Sequence, residues 1–371
     1  MDNNIKEGKI MAISKKLKEL YMGFWEKPEL WTANGINFLQ EWKALCKYRD
    51  KKYKLTAEQK KQIRKFWKPY ARISTKWCQH YAAKNGLFDP RYIPNTLAYG
   101  KIDQHFNNRR LGYGFNDKNY YSTIFSGISQ PVTLVRKIGG LLFDGEYRQL
   151  TAEEAVTILC EQAEVIIKPS QESGSGRGIW FCKPAEEKEK LIDFLHNKKE
   201  ANYIIQQVVK QHADLEAVHA GSLNTVRICT IMLDDGVHVV SSILRMGVNG
   251  SRIDNVSAGG ISARIMPDGK LDKYAYTCFT GERFEKHPQG LVFEGHPVPS
   301  FEKVIATVKI AAQRIGNFRL VSWDMAVDEN GEVLLVEANM RKGGVDSIQI
   351  DNGPMFGDLT ERILDEVYGR K

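Results

Sequence analysis

Residues 320–344, LVSWDMAVDENGEVLLVEANMRKGG, hold two apolar, alternating segments on either side of an Asn-Gly pair at 330–331. An Asn-Gly pair in this context is the strongest short-range signal for a β-hairpin, and it predicts a two-residue type I′ turn. That turn places Asp324 directly opposite Glu337 on the neighbouring strand. Asn339 follows two residues later and therefore projects from the same face. The segment thus predicts a hairpin that carries two carboxylates and one amide side by side.

Carboxylates that face each other in a sheet repel unless a cation lies between them. Asp324, Glu337 and the side-chain carbonyl of Asn339 supply three hard oxygen atoms, which suit Mg²⁺, an ion that takes its other ligands from water and phosphates. The alternatives are a solvated acidic hairpin and a longer loop that shifts the register by one residue. The segment LLVEAN is too apolar for a strand covered by water, so the pattern favours a metal site.

A second pattern lies at residues 164–180, EVIIKPSQESGSGRGIW, where an apolar run ends in Lys168 and a glycine-rich segment follows. The order of lysine and glycines matches neither a P-loop, nor a dinucleotide fingerprint, nor a protein kinase. Glycines let backbone N–H groups approach phosphate oxygens, and a lysine at a strand end adds a compact charge. We interpret the segment as a lid over a polyphosphate. The alternative is an ordinary mobile hairpin with a snorkelling lysine.

The composition of the 371 residues, 42% of them hydrophobic, predicts a large core in two domains or one elaborate one. No apolar run approaches the roughly 18 residues that span a bilayer, and the N-terminal residues lack a signal-peptide pattern, which predicts a cytoplasmic location. The six cysteines contain no C-x-x-C pair, so we expect reduced, mostly buried thiols rather than a zinc cluster or disulfide framework.

Charge is unevenly distributed along the chain. Residues 1–110 hold 24 lysines and arginines against 10 acidic residues, and the rest of the chain holds 29 against 35. Segments such as KKLKELYMGFWEKPELW and TAEQKKQIRKFWKPYARI predict amphipathic helices with aromatic faces and lysine-rich backs. This favours a helical subdomain with a solvated basic side. The alternative is peripheral docking on the inner face of a membrane or on an anionic glycan, whereas no motif indicates a nucleic-acid partner.

Downstream, short β-branched runs alternate with helical segments. The strands are predicted at 163–168, 178–183, 202–209, 224–233, 236–247, 318–327 and 332–338. Helix starts are marked by a capping box of Thr151 with Glu154, by Pro184 and by Ser300, and the segment GDLTERILDEVYG predicts an amphipathic C-terminal helix.

Taken together, these motifs resemble the ATP-grasp superfamily, and most closely its sugar-transfer-associated branch, over about residues 116–357. The resemblance implies an α+β fold in which two subdomains clasp ATP. It implies a helical, basic N-terminal region at 1–115 and a catalytic domain at 116–371. Within that domain it implies a lid subdomain at about 131–209 and a metal-binding subdomain at about 210–371.

The resemblance also implies roles for individual residues. The lysine of NDKNYY, Lys118, and Lys168 contact the ATP phosphates, and Arg227, Lys168 and Arg341 take part in catalysis. The glycine-rich lid comprises Ser173, Gly174, Ser175, Gly176 and Gly178. The hinge that holds the adenine comprises Gln206, Gln207 and Val209. The segments SLNTVRICT and DNVSAGGIS supply the cleft residues Asn224, Arg227, Asn255, Gly259 and Gly260, and the metal ligands are Asp324, Glu337 and Asn339.

The sequence departs from the pattern of D-alanine-D-alanine ligases at three points. Ser322 stands where those ligases carry an arginine two residues before the metal aspartate, so the oxyanion role falls to Arg227, Arg341 or another residue. The acidic ribose contact has only Gln211 and Asp214 as stand-ins. The N-terminal region lacks the nucleotide-fold domain of many relatives. His287 resembles the branch as well, but a lone surface histidine receives no role.

The implied activity is an ADP-forming ligation of a carboxylate to an amine through an acyl phosphate. The implied cofactors are ATP and Mg²⁺, with two metal ions expected and Mn²⁺ as the alternative metal. By analogy the acid is a sugar acid of a capsule or O-antigen, so the expected partners are a small-molecule or glycan carboxylate and an amine. Two alternatives stay open: a kinase of the same architecture that phosphorylates a sugar or polyol, and a nonenzymatic nucleotide-binding module.

Overall fold

Two antiparallel sheets with helices packed on them form the described part of the chain, so the predicted α+β class is confirmed. The structure is a computed structural model, and it describes residues 53–171, 176–197, 202–278, 280–341 and 343–370. The described α-helices are, in chain order, α1 (Ala57–Trp67), α2 (Lys76–Asn85), α3 (Asn95–Leu97), α4 (Asp103–Phe106), α5 (Gly112–Phe115), α6 (Tyr121–Ile124), α7 (Ala152–Cys160), α8 (Lys188–His196), α9 (Ala213–Val218), α10 (Phe301–Arg314), α11 (Val345–Asn352) and α12 (Thr360–Tyr368).

The strands fall into a smaller first sheet and a larger second sheet. The first sheet has the order β3-β2-β1-β6-β4-β5 and the second the order β11-β10-β9-β8-β7-β12-β13. The strands are β1 (Thr133–Ile138), β2 (Leu141–Asp144), β3 (Gln149–Leu150), β4 (Val165–Pro169), β5 (Trp180–Cys182), β6 (Tyr203–Gln207), β7 (Val226–Leu233), β8 (Gly236–Met246), β9 (Ile261–Ile265), β10 (Leu271–Thr277), β11 (Arg283–Phe284), β12 (Leu320–Val327) and β13 (Val333–Asn339).

The seven strands predicted from sequence are present as β4, β5, β6, β7, β8, β12 and β13. The capping box before α7 is also present, because the Thr151 hydroxyl accepts from the Glu154 N–H at 3.2 Å and the Glu154 carboxylate accepts from the Thr151 N–H at 2.8 Å. Pro184, by contrast, does not open a helix. A turn follows it, and α8 begins at Lys188.

Each sheet is covered by helices that bury its apolar face. In the first sheet, α7 and α8 cover a core built on residues such as Val165, Ile167 and Ile205. The second sheet lies between two cores. One contains α10 and residues such as Ile228 and Trp323, and the other contains α11, α12 and the residues from Leu55 to Phe106.

Residues 53–106, which we call the helical layer, are therefore part of the core that covers the second sheet. Helix α1 shows why: it begins with a capping box between Thr56 and Gln59, and it buries Ile63 and Trp67 while its lysines face outward. The amphipathic pattern predicted for this segment is confirmed. The earlier segment KKLKELYMGFWEKPELW lies outside the described residues.

The hairpin formed by β12 and β13 has the predicted Asp324–Glu337 pair but not the predicted turn. The Asp328 carbonyl accepts from Gly331 at 3.0 Å, and Asp328 and Glu332 close a three-residue loop, in which Gly331 has a φ of 80° and Asn330 is not left-handed. This longer loop shifts the register by one residue near the turn. A β-bulge between the two halves of the ladder then restores the expected pairing at Asp324.

Two further sequence features have clear outcomes in the described residues. The five described cysteines are free thiols, of which Cys160 alone is exposed, as expected for a reduced protein. No described helix combines the length and the apolarity that crossing a membrane requires.

We predict that Trp67→Ala will destabilise the whole catalytic unit, because the helical layer shares a core with the second sheet. Trp67 is 1% exposed and its indole N–H donates to the Pro90 carbonyl at 2.9 Å. The loss should be about 3–5 kcal/mol in urea unfolding, with a single transition. Lys65→Ala on the exposed side of α1 is the control. A separate early transition for Trp67→Ala would show that the layer folds independently.

Candidate active site

A cleft of about 1250 Å³ lies between the two sheets. The first sheet contributes residues such as Ile166, Lys168 and Phe181 to its wall, and the second sheet contributes Arg227 and Asp324. Alternation along β7 and β12 explains this placement. The neighbours of Arg227 and Asp324 in sequence point into the core under α10, so Arg227 and Asp324 themselves point to the other face, where the helical layer lies.

The two predicted phosphate-binding lysines meet at one end of β4. The N–H of Lys118 donates to the Ser170 carbonyl at 2.8 Å, which fixes the Lys118 segment to the end of the strand that carries Lys168. The ammonium group of Lys118 lies 2.6 Å from Glu337. Burial, together with the nearby charge of Lys118, lowers the pKa of Lys168 to about 8. Two buried ammonium groups held together are suited to an anion such as a polyphosphate.

Asp324 is the most tightly held carboxylate of the cleft. Arg227 donates from Nε to Oδ1 at 2.6 Å and from Nη2 to Oδ2 at 2.7 Å, and Arg245 donates to Oδ2 at 2.9 Å. Burial alone would raise the pKa of Asp324, but the two guanidinium groups outweigh it and hold the pKa below its ordinary value. Conversely, burial opposes the charge of Arg227, and Asp324 holds the pKa of Arg227 above its ordinary range.

The bulge in β13 turns Glu337 and Asn339 toward the same cleft. Leu335 and Ala338 are three residues apart yet both face the core, so Val336 and Glu337 between them both line the cleft. The Tyr121 hydroxyl fixes this irregular segment, because it accepts from the Ala338 N–H at 3.1 Å and donates to the Ala338 carbonyl at 3.3 Å.

The predicted metal ligands share one face and fit a hard cation. The side-chain amide nitrogen of Asn339 donates to Asp324 Oδ2 at 3.3 Å, and Lys118 donates to Glu337 Oε1. The other side-chain oxygens, Glu337 Oε2 and Asn339 Oδ1, accept from no described donor and are therefore available to a metal ion. Within the described residues, no group of three or more His, Cys, Asp and Glu side chains is arranged so that it could hold a metal ion by itself. Because cations already neutralise both carboxylates, we expect Mg²⁺ to bind together with nucleotide phosphates rather than alone.

Part of the predicted lid falls outside the described residues, namely Ser173, Gly174 and Ser175. Gly176 lines the cleft with a φ of 72°, and a side chain there would collide with Ile253, because its Cβ would lie 2.9 Å from the Ile253 Cδ1 atom. Gly178 is also left-handed, with a φ of 77°, and packs on Pro169 instead of lining the cleft. Only glycine fits at Gly176 without strain.

A loop of the second sheet clamps this lid. Arg252 makes two bonds to Glu164, at 2.7 and 2.6 Å, and its guanidinium lies 3.6 Å from the centroid of the Phe181 ring. Glu164 and Phe181 belong to the lid side, whereas Arg252 follows β8. The clamp therefore joins the two sheets across the mouth of the cleft.

The predicted hinge connects the two sheets. Gln206, Gln207 and Val209 all line the cleft, and Gln206 is fixed by donating to the Pro131 carbonyl and to Thr133, both at 3.1 Å. The N–H groups of residues 208 and 209 donate to no acceptor within the described part of the chain. Such open backbone donors beside apolar side chains suit the edge of a planar base.

Three residues that the sequence predicts in the cleft lie behind its wall instead, namely Asn224, Gly259 and Gly260. Asn224 is fully buried and donates twice to the side-chain oxygen of Gln211. The amide nitrogen of Gln211 donates to the carbonyls of His219 and Ser222, so Gln211 has no free amide for a ribose. Asn255 lines the cleft and its side chain accepts from the Ser257 N–H at 2.8 Å, whereas Gly259 and Gly260 shape the turn behind it.

Four other residues that the sequence motifs singled out have defined positions in the structure. His287 was expected at the surface, and this is wrong: it is fully buried, with its ring 2.9 Å from the Gly247 carbonyl. Ser322 bonds the Gly343 carbonyl at 2.9 Å. Arg341 lines the cleft, with its guanidinium 5.3 Å from the Tyr113 ring. Asp214 does not line the cleft.

Arg245 and Asp254 are two buried residues of the site that the sequence motifs did not indicate. Arg245 is 4% exposed, and its second bond goes to Asp254 at 3.2 Å, so Asp254 orients the arginine that braces Asp324. The Thr225 N–H also donates to Asp254, at 3.1 Å. The sequence did contain a signal for Arg245, because an arginine inside the apolar run SSILRMG needs an acidic partner when the strand is buried.

A protein-family model described as sugar-transfer associated ATP-grasp matches residues 100–364. The chain belongs to this family. The predicted ATP-grasp fold is therefore confirmed, and the cleft between the two sheets of this family member carries the lysines, the hinge and the metal-ligand candidates. A search of curated proteins returns no match.

Solved structures show similarity at low identity. The D-Ala:D-Ser ligase VanG from Enterococcus faecalis is 14% identical over 68% of this chain and 61% of its own, with a TM-score of 0.39. An L-amino acid ligase from Bacillus licheniformis is 13% identical over 82% and 58%, with a TM-score of 0.39. Biotin carboxylase from Campylobacter jejuni is 14% identical over 69% and 46%, with a TM-score of 0.43. The chain thus spans less than two thirds of each.

We predict that Asp324→Asn and Glu337→Gln will differ sharply in stability. Removing the charge of Asp324 leaves the buried Arg227 without its carboxylate partner and leaves Arg245 with Asp254 alone, which should cost about 3–5 kcal/mol. Glu337 is more accessible, with 27% of its side chain exposed, so Glu337→Gln should cost less than about 1.5 kcal/mol. Urea unfolding measures both. Equal losses would contradict the central role assigned to the Asp324 ion pairs.

We predict that Lys168→Met will raise stability at pH 7, by about 1–3 kcal/mol, while it weakens ATP binding at least tenfold. Because the folded-state pKa of Lys168 is about 8 and its ordinary value is 10.5, the folded protein loses this proton first as pH rises. Wild-type stability should therefore increase relative to the variant between pH 8 and about 10.5.

Lys118→Met is the matched control for Lys168→Met, since it removes an ion pair with Glu337 and should not stabilise the protein. Thermal unfolding across pH and binding of a fluorescent ATP analogue measure the two effects. Destabilisation by Lys168→Met at pH 7 would rule out the proposed strain at this lysine.

Proposed function

We propose that this family member is an ATP-dependent ligase that joins a carboxylate to an amine through an acyl-phosphate intermediate. The observation that carries the proposal is the set of charged groups in one cleft. Lys118 and Lys168 lie at the end of the first sheet, and Asp324, Glu337 and Asn339 face them from the second. Residues that can hold phosphates and a metal ion thus meet beside open hinge amides.

The chemistry needs positioning more than it needs a protein nucleophile. An oxygen of the carboxylate substrate attacks the γ-phosphorus of ATP, the bond to the bridging oxygen breaks, and ADP leaves. The amine then attacks the acyl carbon, the bond from that carbon to the phosphate oxygen breaks, and phosphate leaves as the nitrogen loses a proton. The products are ADP, phosphate and an amide.

Side chains of the cleft would stabilise each charged stage. Lys118, Lys168 and the lid amides would hold the phosphates, and Arg227 would face the oxygens that gain negative charge while it remains paired to Asp324. Mg²⁺ or Mn²⁺, as one or two ions held by Asp324, Glu337 and Asn339, would neutralise the β- and γ-phosphates.

The family description supports a sugar acid as the carboxylate substrate, such as a uronic acid of a capsule or O-antigen. An ATP-dependent reaction favours the cytoplasm as its location. Contact between the basic N-terminal helices and a membrane or anionic glycan stays a prediction.

The experiment is a matrix of carboxylates and amines in which ADP and free phosphate are measured separately. For a ligase we expect phosphate release only when both an acid and an amine are present. A stable phosphorylated sugar or polyol without free phosphate would favour the kinase. ATP binding without turnover for any pair would favour the nonenzymatic nucleotide-binding module.

We predict that Glu337→Gln will lower ADP release at least a hundredfold in this assay, because a metal ligand is lost. Glu332→Gln is the matched control: Glu332 lies at the turn end of the same hairpin, and its ion pair among the described residues is with Lys303, at 2.9 Å, on the surface. Full activity in Glu337→Gln would contradict the metal assignment.

A further inference from the structure

The cleft continues past the catalytic groups to a second polar end. We call this end the acceptor pocket, and its wall is formed by Tyr99, Cys278, Arg341, Asp346 and Ser347. It begins close to Arg227, because a side chain on Gly344 would lie 3.3 Å from the Arg227 Nη1 atom. Asp346 is two residues beyond Gly344, in the first turn of α11. The pocket therefore adjoins the site where an acyl phosphate would form.

Asp346 is the acidic residue of the acceptor pocket, and the helical layer holds it in place. The Tyr81 hydroxyl lies 3.0 Å from Asp346 Oδ1, and the Asn95 amide donates to Oδ2 at 2.8 Å. The side-chain oxygen of Asn95 lies 2.6 Å from the same hydroxyl, so the single Tyr81 proton is shared between Asn95 and Asp346. Tyr81 and Asn95 are both buried, whereas 26% of the Asp346 side chain is exposed. The helical layer thus fixes a carboxylate whose accessible side faces the cleft.

No cation neutralises Asp346 at contact distance. Among the described residues, the one basic group within 4.0 Å is the His80 imidazole, at 4.0 Å. Burial, and secondarily Lys84, lowers the pKa of His80 to about 3, so this ring is neutral at pH 7. Arg227 is engaged by Asp324. Lys84 is the main cation that acts on Asp346, and its charge lowers the pKa of that carboxyl against the effect of burial. Among the described residues no ion pair within 4.0 Å joins the two groups, so the charge of Asp346 is balanced less closely than those of Asp324 and Glu337.

The surroundings of Asp346 suit an ammonium group, which carries a positive charge and several hydrogen-bond donors. Two neutral donors orient Asp346 but carry no charge, and an ammonium group would add charge-assisted hydrogen bonds from the cleft side. A second acceptor lines the same cleft, because Asn116 Oδ1 is buried and accepts no bond from the described residues. These two acceptors favour an ammonium group at the Asp346 end of the pocket, whereas Arg341 supplies donors to another part of the same wall.

We infer that the acceptor pocket binds the amine substrate and that Asp346 binds its ammonium group, with Tyr81 and Asn95 as positioning residues. This inference rests on the proposed function and names the amine subsite of the same cleft. The helical layer then becomes a determinant of amine specificity. Before the nitrogen attacks, one ammonium proton passes to the Asp346 carboxylate, which becomes a neutral acid and later releases the proton to solvent. Burial, which raises the pKa of Asp346, supports this transfer.

The test measures binding of a simple amine without turnover. Saturation-transfer difference NMR follows ethanolamine with the full-length protein saturated with ADP and Mg²⁺, and ethylene glycol serves as the uncharged probe. We expect ethanolamine to bind more tightly than the glycol. Asp346→Asn should weaken ethanolamine binding at least tenfold, with binding of a fluorescent ADP analogue changed less than twofold.

Tyr81→Phe tests the positioning role. It should weaken ethanolamine binding about threefold on its own, and it should add nothing when combined with Asp346→Asn, because it acts through that carboxylate. Asp358→Asn is the charge-matched control, since its exposed side chain pairs with Arg91 outside the cleft. Thermal unfolding of each variant checks that the fold is intact.

Equal ethanolamine binding by wild type and Asp346→Asn overturns the inference, and so does equal binding of ethanolamine and ethylene glycol. Ethanolamine binding that depends on Asp346, together with no turnover for any acid and amine pair, upholds the acceptor pocket while the ligase proposal fails. Turnover with unchanged amine dependence in Asp346→Asn upholds the ligase and overturns the role of Asp346.

Discussion

The ion pairs of Asp324 with Arg227 and Arg245 are the interaction on which the rest of the cleft depends. They connect three neighbouring strands of the second sheet, β8, β7 and β12, at the level where the cleft opens. Asp254 extends the same network into the loop after β8, and that loop carries the Arg252 clamp onto the lid. A buried ion pair of this kind adds little net stability, but it is costly to break, so it fixes geometry.

This network keeps Asp324 ionised, because two guanidinium groups hold the pKa of that carboxyl below its ordinary value. Glu337 holds Lys118, and Lys168 is destabilised by its burial beside Lys118. Free energy lost at Lys168 on folding can be recovered when phosphates bind. The second sheet therefore contributes carboxylates that are already paired with cations, whereas the first sheet contributes a buried lysine whose charge is stabilised when an anion binds.

The helical layer covers the face of the second sheet that carries the charged groups of the cleft. Because Arg227 and Asp324 point to the face that the layer covers, the layer closes the far end of the cleft instead of standing apart from it. Its Tyr81 and Asn95 reach Asp346, more than 250 residues away in sequence. A region that composition describes only as basic and helical thus contributes buried polar groups to the site.

The sequence by itself determined the strands around Lys168, Arg227 and Asp324, the capping box of Thr151 with Glu154, and the pairing of Asp324 with Glu337, because these follow from local periodicity and hydrogen bonding. Even there, the register was right through two compensating irregularities, a longer turn and a bulge. Only the tertiary structure decided that Arg245 braces Asp324, that Asn224 lies behind the cleft, and that Asp346 faces it. Those outcomes depend on which strands become neighbours and on where bulges fall, and both are set by packing between distant segments.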